Sequence, residues 1–298
     1  MGGRPVKQVS FDVFSATQCL QIPSGIRVAL DPRVKSRWLD RMDELKPDII
    51  HAHDVIVASF LLDTEYAAIY DDHEYWSKNL EIFSSRGLIE AIANKPISAR
   101  IPNWERQLLE RFPVITVSEA IAEEHRQFSS WVGVVHNYPY LSEVAHLKNQ
   151  NHREGIVYVG WDFNQPRFKP YRDLTGLPDL LDFDVLTGLP HDELFHRLTH
   201  YRIGLLAFKE HPWHLYSDAN KMYNYLHAGL QVITNKLIAQ STPDNPHVFT
   251  VDSHANIRNV IDSIPEVDNE EIMSLARERY VWDLQESTIT KAYDMALG

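Results

Sequence analysis

Residues 217–233 read SDANKMYNYLHAGLQVI: a polar entry, a short amphipathic run, an Ala-Gly pair and an apolar segment. That order predicts a helix ending at Gly229 and a strand starting directly after it. Ser217, Asp218 or Asn220 is placed to cap the helix start. Lys221 falls in the first turn, where a cation opposes the helix dipole. An anionic ligand on the free N–H groups would reverse that penalty, so the segment reads as a candidate phosphate site, with Tyr223 and Tyr225 adding aromatic surface. The competing reading is an ordinary helix whose Lys221 reaches solvent.

The surrounding chain repeats the same alternation. VSFDVFSA, DIIHAHD, AAIYDDHE, PVITVSEA and VGVVHNY are strand-like, and RVKSRWLDRMDELK, VIVASFLLD and NWERQLLERF have helical apolar spacing. Further on, GIVYVGWD, FDVLTG, RIGLLAFK and LQVITN read as strands, with HDELFHRLTH and NKMYNYLHAG as helices. Strand, helix, strand at this spacing implies α/β architecture with parallel sheets covered on both faces. LSEVAHLKNQNHREG lacks apolar periodicity and reads as an interdomain linker, and the tail beyond about residue 270 reads as one or two helices. The expected division is a domain over 1–140, a linker over 141–154, a second domain over 155–275 and closing helices over 276–298.

With 298 residues, 44% of them hydrophobic, the chain is long enough for two domains with substantial cores. A formal charge of −12 argues against a general nucleic-acid binder, which needs a basic face. A single cysteine, Cys19, excludes an internal disulfide and a cysteine zinc site, and fits a reducing compartment. No apolar run is long enough to span a membrane, and MGGRPVKQVSF has no signal-peptide core. The expectation is a cytoplasmic protein, with a peripheral membrane position left open.

In doubly wound sheets, ligands bind beyond the strand ends, so the polar residues there are the candidates for chemistry. In HAHD (51–54), His51 and His53 point to one face, as a metal pair or as strand-end hydrogen bonders, with Asp54 beside them. In DDHE (71–74), His73 with Asp71, Asp72 or Glu74 forms a candidate general base oriented by a carboxylate. Ser118 reads as the N-cap of a helix with Glu119 in its first turn. Asn137, in HNYPY, is placed to contact a ligand or to form a turn before Pro139. In GWDFNQPRFK, Gly160 lets the backbone approach a ligand, and Arg167 and Lys169 are placed to meet phosphates, as exposed loop residues also commonly are.

KPDIIHAHD, YDDHEYW, VITVSEAIAEE, VVHNY, IVYVG and NKMYNYLHAGLQVIT occur in the order found in the family 4 glycosyltransferases, and over about residues 45–298 the chain resembles that family. The last segment is similar to the family's NKxxEYxAAGxPVI. The resemblance implies the GT-B fold: two Rossmann-like parallel-sheet domains facing each other across a cleft, with C-terminal helices crossing back to the first. It implies sugar transfer from a nucleotide-diphosphate donor, such as a UDP- or GDP-sugar, to a glycan, lipid-linked or small-molecule acceptor. Retention of configuration, no bound metal and no other cofactor belong to the same expectation, and a homo-oligomer is left open. By resemblance His73, with Asp72 and Glu74, is catalytic. Gly160, Arg167, Lys169, Asp218, Asn220, Lys221, Tyr223 and Asn224 bind the donor, and His53, Asp54, Ser118 and Asn137 line the acceptor side or cleft.

The chain departs from the family pattern in three places. Tyr216 and Asn224 stand where the family has paired glutamates, the opening strand with its glycine-rich loop is not recognisable, and the segment between GWD and FDVLTG is short. A non-catalytic nucleotide-sugar- or partner-binding protein on the same fold is therefore the second reading. A metal-dependent hydrolase using His51, His53, Asp71 and His73 is the third.

Overall fold

Nine strands in two parallel sheets form the frame of the described residues, which in this computed structural model are 32–82, 99–150, 153–160, 177–208 and 210–298. The expected strand VSFDVFSA, Cys19, Arg167 and Lys169 lie outside the described residues. The first sheet has the order β1 (Ile50–His53), β2 (Ala68–Asp72), β3 (Val114–Thr116), β4 (Val132–Val134). The second runs β6 (Asp184–Leu186), β5 (Ile156–Val159), β7 (Ile203–Leu205), β8 (Gln231–Asn235), β9 (Val248–Val251). Strands β2 and β8 are buried along their whole length, as parallel strands with both faces covered must be.

The chain divides into two compact units, one of Met1–Val114 with Phe128–Ser130 and Met295–Gly298, the other of Ile115–Gln127 with Trp131–Asp294. In the first unit, the helix Pro32–Leu45 buries Val34, Trp38 and Met42, one residue per turn along a single stripe. Trp38 meets Phe60 edge-on at 5.8 Å between ring centroids. The expected helix VIVASFLLD divides into an α-turn (Val55–Ala58) and a 3₁₀ turn (Ser59–Asp63), and Ser59 Oγ donates to the Ile56 carbonyl at the junction.

In the second unit, successive residues of one strand enter different cores. Val157, Leu206 and Val232 pack with Tyr225, Leu226 and Ile272, while their neighbours Tyr158, Leu205 and Ile233 pack with Leu177, Ile257 and Ile264. This is the period-two alternation of a strand covered on both sides. The helix Asn220–His227 closes as its sequence predicts: Gly229 has φ 83°, its N–H donates to the Leu226 carbonyl, and the Leu230 N–H donates to that of Tyr225. Those two bonds are the Schellman pattern, and a residue with a Cβ would be strained there.

One expectation needs correction, and two details are added to the sequence reading. The stretch 141–155 includes a helical turn, Leu141–Val144, and Val144 and Leu147 are buried against Phe195, Met273 and Val281. Two apolar residues three apart on a turn suffice to anchor a segment that lacks longer periodicity. Strand β9 is an addition, because its four residues follow a Pro-rich turn and are mostly half-buried, which leaves no alternation to read. Tyr223 and Tyr225 are core residues, 1% and 0% exposed, and present no aromatic surface.

Tyr225 ties the second sheet together. A Cβ on Gly204 of β7 would lie 2.4 Å from the Tyr225 ring, so the ring rests directly on backbone. Its hydroxyl accepts from the Val159 N–H of β5 at 2.8 Å and donates to the Leu205 carbonyl of β7 at 3.2 Å. Tyr225→Phe keeps the packing but orphans a buried N–H and a C=O, and should cost about 1–3 kcal/mol in urea unfolding. An unchanged midpoint would show that the hydroxyl bridge carries no stability.

Candidate functional site

Two groups of polar side chains stand out, one in each unit. In the first unit, β1 and β2 pair in parallel with His53 opposite Asp71. His51 and His53, two residues apart, therefore lie on one face, and both reach the Asp71 carboxylate. His51 Nε2 and His53 Nδ1 approach Oδ2 at 2.8 and 2.9 Å, while His73 Nδ1 approaches Oδ1 at 3.0 Å. Burial pushes the Asp71 carboxyl up, but the hydrogen bonds from His51 and His53 and the neighbouring imidazole charge outweigh it and hold the group at about 2. The hydrogen bond to Asp71, working against burial, raises His53 in turn. His51 and His53 stack at 4.6 Å and 18°, and His53 and His73 lie 5.4 Å apart. Among the described residues, His51, His53 and Asp71 are the group whose donor atoms come within metal-binding reach, all inside 4.8 Å of one another.

The loops beyond these strands are unusual in backbone as well as in charge. Asp54 and Tyr75 have φ of 65° and 39°, conformations seldom adopted by residues with a Cβ. Side chains hold both places: Asp54 Oδ1 accepts from Trp76 Nε1 at 2.8 Å, and Asp72 Oδ1 accepts from the Tyr75 N–H at 3.0 Å. Strained residues beside a charged cluster are typical of sites whose geometry is imposed by their surroundings. Asp72, expected among the catalytic groups, is fully buried and acts on the backbone, whereas His73 and Glu74 are exposed. The carboxylate that orients His73 is Asp71.

Beneath this loop lies a residue that the strand-end motifs did not indicate. Glu105 sits on the buried face of the helix Ile101–Arg111 with Ile101, Leu108 and Leu109, and its carboxyl accepts from the Ser77 hydroxyl and N–H. Burial first, then the charge of Asp72, pushes Glu105 well above the usual carboxylate range, against the Ser77 hydrogen bonds. An acid in register with three apolar residues on one helix stripe is the sequence signal for it.

In the second unit, the helix Asn220–His227 begins at Ala219, with no side-chain cap. The expected capping residues are engaged elsewhere. Ser217 Oγ donates to the His214 carbonyl, and the buried Asp218 carboxylate accepts from the Asn137 N–H at 2.5 Å and the Tyr223 hydroxyl at 2.6 Å. Asp218 is thus a brace between the HNYPY turn and the helix rather than an exposed ligand-binding group. That turn forms as one of its two readings had it, with the Tyr138 N–H on the His136 carbonyl, and it leaves the Asn137 side chain exposed. Tyr138 packs on Tyr223 and Tyr280 at 4.6 and 5.6 Å.

Asn220 is exposed and Lys221 and Asn224 are half-buried along this helix. Tyr216 donates its hydroxyl to Glu124, so a carboxylate from the helix Glu119–His125 stands next to that position. Only tertiary structure brings Glu124 there, 92 residues away in sequence. Ser118 is completely buried and caps that helix as its sequence predicts, accepting from the Ile121 N–H. A Cβ on Gly160 would meet the Tyr158 hydroxyl at 2.6 Å, so a neighbouring side chain packs directly over this glycine.

No protein-family profile matches the sequence, and no curated protein matches it. Solved structures do share its fold. A sucrose-phosphate synthase from Thermosynechococcus elongatus aligns with a TM-score of 0.63 at 12% identity, over 91% of this chain and 78% of the synthase. An OtsA apo structure aligns with a TM-score of 0.57 at 11% identity, over 90% of this chain and 78% of OtsA. These likenesses show the fold alone: the chain has the GT-B fold, an α/β architecture built on two parallel sheets.

Because the folded-state affinity of Glu105 for its proton is raised, its contribution to stability is complete below the ordinary glutamate value of 4.5 and is lost as pH rises through the shifted value. Glu105→Gln keeps an acceptor for Ser77 and removes the titration. Melting temperatures measured from about pH 5 to about pH 9 should fall less steeply in the variant than in the parent protein. Parallel curves would show that Glu105 ionises without cost.

Proposed function

We propose that the chain is a glycosyltransferase that moves a sugar from a nucleotide-diphosphate donor to an acceptor hydroxyl. The GT-B fold, shared with the two solved structures, supports this reading, and family 4 is the branch its motifs resemble. The observation that carries it is the start of the helix Asn220–His227, which no side chain caps and which bears Lys221 in its first turn. The backbone N–H groups there and the Lys221 ammonium would receive the donor diphosphate and take up the charge that develops on it as the glycosidic bond breaks. No metal is needed at the diphosphate in this scheme.

In the first unit, His73 supplies the polar group for the reacting sugar or acceptor. Its Nδ1 is held by the buried Asp71, which fixes the ring orientation and leaves Nε2 as the atom for substrate. Asn224 would hydrogen-bond a ribose hydroxyl, and Asn220 and Asn137 would add polar contacts. Transfer with retention of configuration, UDP- or GDP-sugars as donors, a glycan, lipid-linked or small-molecule acceptor and a cytoplasmic location complete the proposal. Among the described residues no helix is long and apolar enough to cross a membrane.

One observation favours the second reading, a protein that binds a nucleotide sugar without turning it over. Asn224 is a neutral group where the resembling family has a carboxylate, and a neutral acceptor makes the weaker hydrogen bond. Glu124, held by Tyr216, places a carboxylate beside the other altered position and weighs on the side of an enzyme.

The test is thermal shift with UDP, GDP and their sugars in chelator-containing buffer, followed by a donor-hydrolysis assay. A ligand that binds the native state raises the melting temperature. Lys221→Ala should remove most of the shift, and His73→Ala should leave the shift and lower turnover by about 10²-fold or more. No shift with any nucleotide, or both variants behaving as the parent, would overturn the proposal.

A further inference from the structure

We propose that His51 Nε2, His53 Nδ1 and Asp71 Oδ2 form a binding site for one divalent transition-metal ion, with zinc the best-suited ion, in the first unit. The site is separate from the diphosphate chemistry and does not depend on the transferase reading.

The donor set is the first argument. Two imidazoles and one carboxylate, with a further position open to water or a substrate oxygen, make up the three-ligand set of catalytic zinc sites and of related first-row metals. The Nε2 of one histidine and the Nδ1 of the other come within 2.8 and 2.9 Å of the same carboxylate oxygen. Ligands at about 2.0–2.1 Å in tetrahedral array stand about 3.3 Å apart, and the three donor atoms here all lie within 4.8 Å of one another.

The scaffold is the second argument. The ligands come from paired strands in direct register, His53 opposite Asp71, which fixes their spacing through backbone hydrogen bonds. The Asp71 side chain is 6% exposed and the His53 side chain 64%, so the carboxylate is fixed from beneath while the opposite side is open to an incoming ion.

The third argument is the support around the ligands. The second Asp71 oxygen is taken by His73 Nδ1 at 3.0 Å, and an outer hydrogen bond of this kind orients a ligating carboxylate. His73 is thus a positioning residue for the ion.

The test uses the full chain without an affinity tag, stripped with chelator and free of nucleotide. Zn²⁺ is titrated with quantification of bound metal, and Co²⁺ is titrated in parallel for its visible ligand-field absorption. One ion per chain, a raised melting temperature and a tetrahedral or five-coordinate Co²⁺ spectrum are expected. His53→Gln, which alters an exposed ring and should leave the fold intact by circular dichroism, should abolish the spectrum and the stoichiometric uptake. His51→Ala should do the same, and His73→Ala should retain one ion with affinity about 10- to 100-fold weaker. Absence of saturable uptake, or uptake unchanged in folded His53→Gln, overturns the proposal. Because no nucleotide is present, either result leaves the transferase reading to its own test in chelator.

Discussion

A carboxylate buried at the end of a parallel strand must be compensated where it lies, and Asp71 is the clearest instance in this protein. An isolated charge at such depth would be driven to take up a proton. Here three imidazoles face the carboxylate, and it remains ionised down to about pH 2. The arrangement explains why histidines occupy positions 51, 53 and 73 together, because each supplies a nitrogen to one of two oxygens. It also makes the strand ends and the loops after them interdependent. The strained conformations of Asp54 and Tyr75 persist because Trp76 and Asp72 hold them in place around this centre.

The second unit solves a different problem, the joining of a helix to the sheet whose strand ends it follows. Tyr225 lies against Gly204 and bonds to both β5 and β7, which fixes the helix Asn220–His227 relative to the two strands that flank the change in chain direction. Asp218 fixes the start of the same helix through Tyr223 and the Asn137 N–H. With the caps thus engaged, the first turn is left without a side-chain cap.

Much of this was legible in the sequence, for identifiable reasons. Eight of the nine strands follow short apolar runs that end in polar residues, and Gly229 terminates its helix by the pattern that only a residue tolerant of positive φ allows. The grouping of His51, His53, Asp71 and His73 could be anticipated because period-two spacing and adjacent parallel strands place them on one edge. The roles within the group could not. Asp72 and Asp71 are neighbours on a strand and so point to opposite faces, and which of the two meets the histidines depends on register. Glu105 carried a signal, an acid in step with apolar residues, but its partner Ser77 is 28 residues away.

The sequence alone determined the alternation of strands and helices, and with it the parallel α/β class, because local periodicity is set by the geometry of each element. It determined too which residues stand at strand ends and where the helix at residue 220 begins and stops. Tertiary structure alone decided which polar groups are spent inside the protein. Asp218 and Tyr223 look like ligand-binding groups in one dimension, yet once the chain is packed the Asp218 carboxylate accepts from the Tyr223 hydroxyl and from the N–H of Asn137, 81 residues away. Conversely, Glu124 reaches Tyr216 only in the folded protein. Hydrogen-bond satisfaction is a property of three-dimensional neighbourhoods, and a buried polar atom takes whichever partner packing supplies.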